Sequence, residues 1–527
     1  MRRLRVTFFI FFISMINYVF LSCSWSREVR GRVFEDANQN FKFDAGERGI
    51  PGVLVSNQLE VVRTDENGNY RLPISDEAII FITKPAGYMA PLNQQNLPQF
   101  YYVHQPKGSP DQQFKYKGVA PTGRFPASLD FPLIRVAKKD TFEVIVFADP
   151  QPRNYQEIDY IRDDVVAELI GTSAQFGITL GDIVFDDLSL YGRYNQIVSQ
   201  IGIPFYNVPG NHDENYDATD DRFALETFKR HFGPNYYSFD YGQVHFIILD
   251  DVEYLGRNEQ GYSRYQGKIG PKQLAWLSND LRLVPDDRLI VLAMHIPLYT
   301  VYGPDASINV VDREALFEVL KGRERVLVLA GHMHALEHNF FDRQFGWSGT
   351  TPIHQIVCVA VCGTWWTGMK DVRGIPIADQ RDGAPNGYHI LTFEGPNYHE
   401  RFKAASQPAD FQLRVSSPVG TLKLFNLSSD SIIVNVFNGS ERSVVVARID
   451  NSQEVELRRQ FRVDPFYEKI YLAMKKELPQ WISPERSTHL WIGALPTQLA
   501  VGPHTLVVSA TDQFGQRYST VQIFEIE

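Results

Sequence analysis

Hydrophobic and polar positions divide the chain into three patterns. From Val29 to about Ile134, short apolar-alternating runs such as Val29–Phe34 flank turns such as Asp65-Glu-Asn-Gly68-Asn, with no helix-length periodicity; this predicts an all-β module over 28–135. Between Asp140 and Gly395 the runs become wholly apolar: Phe142–Phe147, Phe205–Val208, Leu289–Ala293 and Val326–Ala330. Stretches with helical spacing, Tyr155–Leu169, Pro271–Leu283 and Asp312–Leu320, lie between them. Strands apolar on both faces and separated by helices predict α/β layering with a covered sheet, here over 140–398. Alternation returns from about Pro408, predicting a second β domain over 408–527. The Gly- and Pro-rich stretches Gly118–Pro126 and Pro396–Pro408 are expected as linkers. The fold class expected is multidomain, α/β plus all-β.

Composition removes several function classes. With 527 residues, 44% hydrophobic and 22% charged, the chain is an ordinary multidomain globular protein. A formal charge of -10 provides no polybasic footprint, so nucleic-acid binding is not expected and small molecules are favoured as partners. Three cysteines exclude a disulfide scaffold. Cys358 and Cys362 share the apolar run Ile356–Cys362, read as one strand, which sets their Cα atoms roughly 13 Å apart and makes them buried thiols. Cys23 follows Arg2, Arg3, Arg5 and an apolar stretch from Val6 to Ser22, the layout of a secretory signal over 1–23. Phe20-Leu21-Ser22-Cys23 resembles a bacterial lipoprotein cleavage site. The expectation is export to the periplasm or cell envelope, with a lipid on Cys23 as an outer-membrane tether; an uncleaved anchor is the alternative. Oligomeric state is left open.

The candidate chemistry sits in the central block. Asp149-Pro-Gln151, Gly181-Asp182, Gly210-Asn-His-Asp213, His295 and Gly331-His-Met-His334 each follow an apolar strand, which gathers them at one rim of the sheet. Carboxylate, amide and imidazole donors suit zinc, manganese or iron, and the lack of cysteine argues against a structural thiolate site. Seven such donors exceed what one ion takes, so two divalent metals are expected.

In this order and spacing the clusters resemble the calcineurin-like metallophosphoesterase family, whose pattern is D-x-H, G-D, G-N-H-D/E, H and G-H-x-H; the resemblance covers about residues 142–395. It implies a central αββα sandwich flanked by two small β-sandwich domains. Carried over by position, it implies that Asp149, Gln151 and His334 hold one metal, that Asn211, His295 and His332 hold the other, and that Asp182 bridges them. Gln151 stands where many members have His; its amide oxygen is a harder and weaker donor than imidazole, which favours manganese or iron over zinc at that position. Two cations about 3.5–4 Å apart would activate a bridging hydroxide for in-line attack on a phosphoryl group. His212 would assist the leaving group, a role worth about 10²–10⁴-fold, with either Asp213 or Asp186 orienting its ring. The purple acid phosphatase branch has an iron-ligating Tyr where this chain has Phe185, so no charge-transfer colour is expected.

Further resemblances surround this core. Val33–Pro73 is similar to the small surface-protein β modules that precede exported catalytic domains, in some of which an acidic loop binds calcium. Here Asp36, Asn38, Asn40, Asp44 and Glu47 would be the ligands, although Phe41 replaces the usual Gly; a polar turn is the alternative. Gly502–Gly515 resembles an Ig-like or fibronectin-like strand-turn pair. The stretch from Gly363 to Tyr388 resembles that of secreted family members with the same added domains. Trp365 and Trp366 would stack on a sugar or base, and Asp371 or Asp382 would accept from hydroxyls. The alternative is a buried Trp pair with carboxylates fixing turns. His245 is assigned to the fold. The expected function is therefore an exported phosphoesterase acting on a small phosphomonoester or phosphodiester. A pyrophosphatase on nucleotide-sugar or polyprenyl diphosphate linkages and a degenerate surface-binding scaffold are the alternatives.

Overall fold

The computed structural model describes residues 27–110, 114–424 and 431–527, so the secretory signal expected over 1–23, with Cys23, lies outside the described residues. Near the N-terminus, Arg27–Glu35 pairs antiparallel with Asn69–Ile74 and parallel with Phe131–Arg135. A second sheet runs in the order Val61–Arg63, Leu54–Ser56, Ala78–Thr83, Tyr101–His104. Alternation buries Val29 and Val33 against Val55, Ile80 and Ile82 from the other sheet, which makes the module a sandwich. Phe131–Arg135 completes the first sheet, so Gly118–Pro126 lies within the module and is not an exit linker. The module is docked as well as tethered. Thr83 and Ser238 hydroxyls meet at 2.9 Å, and buried Lys84 donates its ammonium to the carbonyls of Tyr88 at 3.0 Å and Asp240 at 2.7 Å.

The central block forms two facing sheets. One runs Phe205–Val208, Phe176–Leu180, Thr141–Phe147, Gly387–Glu394, Asn397–Ala404. The other runs Tyr237–Tyr241, Val244–Ile248, Leu289–Ala293, Val326–Ala330, Ile353–Val357, Glu337–Phe341. Along Thr141–Phe147, Val144 and Val146 point between the sheets, while Ile145 and Phe147 face Ile158, Val165 and Tyr191 of the covering helices. Phe246 meets Phe176 and Phe393 across the seam at ring distances of 5.2 and 5.5 Å. Such fully buried rings each contribute about 1.5–3 kcal/mol.

The helices follow their sequence signals. Asn154 caps Tyr155–Ile161 by accepting from Glu157 N, and the helix continues through a π turn at Arg162–Val166 to Leu169. Pro271 opens Pro271–Leu281, and Arg313–Val319 packs beside it. His245 ties sheet to helix, its ring nitrogens 2.7 Å from Asp240 Oδ1 and 2.7 Å from Asp280 Oδ2. Burial pulls its pKa down, but the two carboxylates prevail and raise it to about 9.

Two boundaries differ from expectation. Gly395-Pro396 is a hairpin turn, and Asn397–Ala404 pairs along its whole length with Gly387–Glu394, so the central block runs to Ala404 and Pro396 is not in a linker. The strand Ile353–Val357 ends before Cys358, so Ile356–Cys362 is not one strand, although both thiols are buried and free. The C-terminal domain is again two sheets. Gly502–Thr511 and Arg517–Ile526 form its long hairpin, and Asp464 caps a helix, Pro465–Met474, that strand alternation did not predict.

Candidate metal centre

Parallel pairing sets the geometry. Thr141–Phe147, Phe176–Leu180 and Phe205–Val208 run parallel, as do Leu289–Ala293 and Val326–Ala330, so the loops that follow them open at the same rim. All seven predicted ligands meet there. Gln151 Nε2 donates to Asp182 Oδ2 at 2.5 Å, and His295 Nε2 lies 3.3 Å from Asp182 Oδ1 and 3.0 Å from Asn211 Oδ1. His332 Nδ1 is 3.1 Å from His295 Nε2, and His334 Nε2 is 3.7 Å from Asp149 Oδ1. Asp182, His295 and His332 present donor atoms all within 4.8 Å of one another.

The rings are aimed from behind. His295 Nδ1 donates to Leu180 O at 2.8 Å and His334 Nδ1 to Gly363 O at 2.6 Å, which turns each Nε2 toward the carboxylates. Asp149 Oδ1 is buried with no hydrogen-bond partner, whereas Oδ2 accepts from His332 N at 2.8 Å. A buried carboxylate oxygen with no donor, facing an imidazole nitrogen, fits a cation. Gln151 Oε1 lies beside Cys362 Sγ at 3.8 Å while Nε2 faces Asp182, so a half-turn of the amide presents the oxygen to a cation; with that turn the residues present suit a dinuclear site.

Electrostatics agree. Burial, then the Asp182 charge, raises the Asp149 carboxyl, while His295 and His212 outweigh burial and hold Asp182 below its ordinary value. Burial opposes the His295 imidazolium, but Asp182 and Asp149 lift it to about 10. His332 and His334 are pushed down to about 3, first by burial and then by nearby positive groups.

Holding so many ligands on short loops strains the backbone. Asp149, Gln151, Asp182, His332 and His334 adopt left-handed φ angles of 47°, 39°, 49°, 73° and 48°, each costing on the order of 1–3 kcal/mol. Close approach requires glycine beside them. A Cβ on Gly210 would lie 2.3 Å from Asp182 Oδ1, and one on Gly331 would lie 2.6 Å from Asp149 Oδ2.

His212 stands at the edge of the cluster. Its Nδ1 lies 2.5 Å from Asp186 Oδ1, its ring stacks on Phe185 at 4.4 Å, and its backbone N donates to Asp182 Oδ1 at 2.9 Å. Burial works against the imidazolium, but Asp182 and Asp186 raise its pKa. The orienting carboxylate is therefore Asp186. Asp213 does not reach the ring: it is fully buried and accepts from Gly210 N at 2.9 Å, Ile183 N at 3.2 Å and Tyr191 OH at 2.8 Å, bracing two ligand loops together. Sequence reasoning missed Asp251, which accepts from His295 N at 3.0 Å, and Tyr216, whose hydroxyl donates to Asn211 O at 2.9 Å. Asp251 follows the apolar run Val244–Leu249 as the ligands follow theirs, a signal that was present.

The substrate assignments divide. Trp365 is half-buried and stacks on His334 at 4.1 Å, so it walls the site. Trp366 is buried and donates Nε1 to Pro150 O at 3.0 Å, supporting the Asp149–Gln151 loop with no face left for a sugar or base. Asp371 caps its own turn, accepting from Arg373 N at 2.8 Å and Ile375 N at 3.0 Å. Asp382 is fully buried, accepting from Leu336 N at 2.7 Å and Ala384 N at 3.0 Å, and is not a substrate acceptor.

The calcium candidates close on themselves. Asp36 accepts from Phe41 N at 2.8 Å, Asp44 from the side-chain amides of Asn38 at 2.9 Å and Asn40 at 2.6 Å, and Glu47 from Ala37 N at 3.0 Å. Phe41 itself takes the left-handed φ of 65°. This fits the polar turn.

Three family models match the chain: the N terminal of calcineurin-like phosphoesterase over 37–119, calcineurin-like phosphoesterase over 142–336 and the C terminal of calcineurin-like phosphoesterase over 356–518. Among relatives, the chain is 25% identical over 170 residues to a probable glycerophosphodiester phosphodiesterase of Arcobacter nitrofigilis, a match spanning 32% of this chain and 58% of that protein. It is 28% identical over 193 residues to a cAMP/cGMP dual specificity phosphodiesterase of Mycobacterium tuberculosis, 34% of this chain and 57% of the relative. The chain thus spans little more than half the length of these curated relatives. A dimetal phosphatase structure from Danio rerio matches with a TM-score of 0.34 and 16% identity, covering 50% of this chain and 99% of the other.

Proposed function

Because the chain belongs to the calcineurin-like phosphoesterase family, we propose that it is a metal-dependent hydrolase of small phosphate esters, working through a dinuclear centre. The observation that carries this is the donorless, buried Asp149 Oδ1 facing His334 Nε2 beside the Asp182, His295 and His332 cluster. Asp149, Gln151 and His334 would hold one cation, Asn211, His295 and His332 the other, with Asp182 shared. Two divalent cations, when bound, supply charge neutralisation for the phosphoryl oxygens and a nucleophile at neutral pH.

The chain's own residues supply the rest. Asp186 holds His212 Nδ1, leaving Nε2 to carry a proton to the departing oxygen, and the Phe185 ring fixes the imidazole plane. Phenyl cannot ligate iron, so an iron-loaded chain would lack charge-transfer colour. The amide of Gln151 favours manganese or iron over zinc at its position. Relatives described as phosphodiesterases make diesters the first substrates to test.

The test is hydrolysis of bis(p-nitrophenyl) phosphate and p-nitrophenyl phosphate with added Mn²⁺. Turnover abolished by chelator and by Asp182→Asn is expected. A protein that hydrolyses neither and purifies with clearly less than two ions per chain would be the surface-binding scaffold instead.

A further inference from the structure

The last ligand loop is held from outside the central sandwich. His332 and His334 both sit in left-handed backbone, with φ of 73° and 48°, and such conformations persist only where surrounding contacts over-determine them. Around His334, Met333 O accepts from Arg381 Nη2 at 3.0 Å, Leu336 N donates to Asp382 Oδ2 at 2.7 Å, and Leu336 O accepts from Thr488 Oγ1 at 3.0 Å. Each of these restraints belongs to the C-terminal domain or is set by it. Glu485 pairs with Arg381 Nη1 at 3.2 Å, and its backbone N donates to Arg381 O at 2.9 Å. His489, in the C-terminal strand Arg486–Ala494, places Nε2 2.9 Å from Asp382 Oδ2 and Nδ1 2.7 Å from Asn435 Oδ1. Asn435 is fixed in turn by Asp464 at 2.7 Å. His489, Asp382 and Asn435 are all fully buried.

We infer that the C-terminal domain is a working part of the metal centre: its edge from Glu485 to His489 holds the loop Met333–Leu336, and with it the ligand His334, in metal-binding geometry. His489 is a positioning residue that acts through Asp382. The inference rests on the dinuclear reading above and goes beyond it, because it gives the C-terminal domain a task that its lack of any ligand does not suggest. Supporting contacts outside a ligand shell commonly change metal affinity by about 10–100-fold, which sets the size expected here.

The test uses the full-length chain and Mn²⁺ alone. Calorimetric titration and ion counting after chelator challenge should show His489→Ala losing about tenfold or more in affinity at one of two sites, retaining nearer one ion per chain while its circular dichroism matches wild type. Thr488→Val, a volume-conserving change, should lose several-fold at the same site, which keeps the test decisive if His489→Ala folds poorly. Arg442→Ala removes a contact of the same domain, the guanidinium 3.5 Å over the Phe340 ring, and should leave both affinities unchanged. Cobalt-loaded wild type and His489→Ala should differ in visible absorption, a readout that loss of stability alone does not move. Wild-type affinity at both sites in folded His489→Ala and Thr488→Val overturns the inference while leaving the dinuclear reading intact. A wild-type chain that binds no ion pair overturns both.

Discussion

Loading the centre with metal should expel a proton from His295. In the metal-free chain, burial opposes the charge but Asp182 and Asp149 lift this imidazole to about 10, so at pH 8 the nitrogen that must ligate is mostly protonated. Its Nδ1 already donates to Leu180 O, which leaves Nε2 as the position surrendered. A ligand must be deprotonated to bind, so Mn²⁺ affinity should rise about tenfold, or about 1.4 kcal/mol, per pH unit up to pH near 10. The raised Asp149 carboxyl adds to the release as the solution is acidified. Calorimetry at pH 8 in two buffers of different ionisation enthalpy counts the protons directly. About one proton per chain is predicted, falling markedly in Asp182→Asn, which removes the main charge that holds it. Release below about half a proton in the wild type would refute the reasoning.

Other outcomes follow from the same geometry. Asp186→Asn should lower kcat roughly 10²-fold with KM nearly unchanged, whereas Asp213→Asn should show up first as lost thermal stability; steady-state kinetics beside melting curves separate the two. Gly210→Ala places a Cβ 2.3 Å from Asp182 Oδ1, inside contact distance, and should abolish tight metal binding, measured by ion content, without unfolding the C-terminal domain. His245 has a folded pKa of about 9, above its unfolded 6.5, so its stabilisation is complete below pH 6.5 and is lost as pH rises through 9. Denaturation of wild type and His245→Gln should therefore differ by roughly 3 kcal/mol at pH 6 and converge above pH 9.

The parts legible in the sequence were those with local signatures. Each ligand cluster follows an apolar strand, and parallel pairing carries such loops to one rim, so the sequence alone gathers Asp149, Asp182, Asn211, His295 and His334. Alternation likewise gave both β domains. What stayed hidden depends on direction or on distant partners. Asp213 adjoins His212 in sequence, but the tight turn Asn211–Asp213 points its carboxylate at the amides of Gly210 and Ile183, leaving the ring to Asp186. Asp382 and Trp366 carry residue types suited to binding sugars, yet contacts with His489 and Pro150, 107 and 216 positions away, bury them. Gly395-Pro396 reads as punctuation in either a linker or a hairpin, and only the pairing of Asn397–Ala404 decides between them.

Anomalous diffraction from crystals of the full chain soaked in Mn²⁺ tests the account most directly. Two peaks are predicted, one bounded by Asp149, Gln151 and His334, the other by Asn211, His295 and His332, with Asp182 reaching both. A rim without anomalous signal at saturating Mn²⁺, or a single ion that leaves Asp149 Oδ1 without a partner, would contradict it.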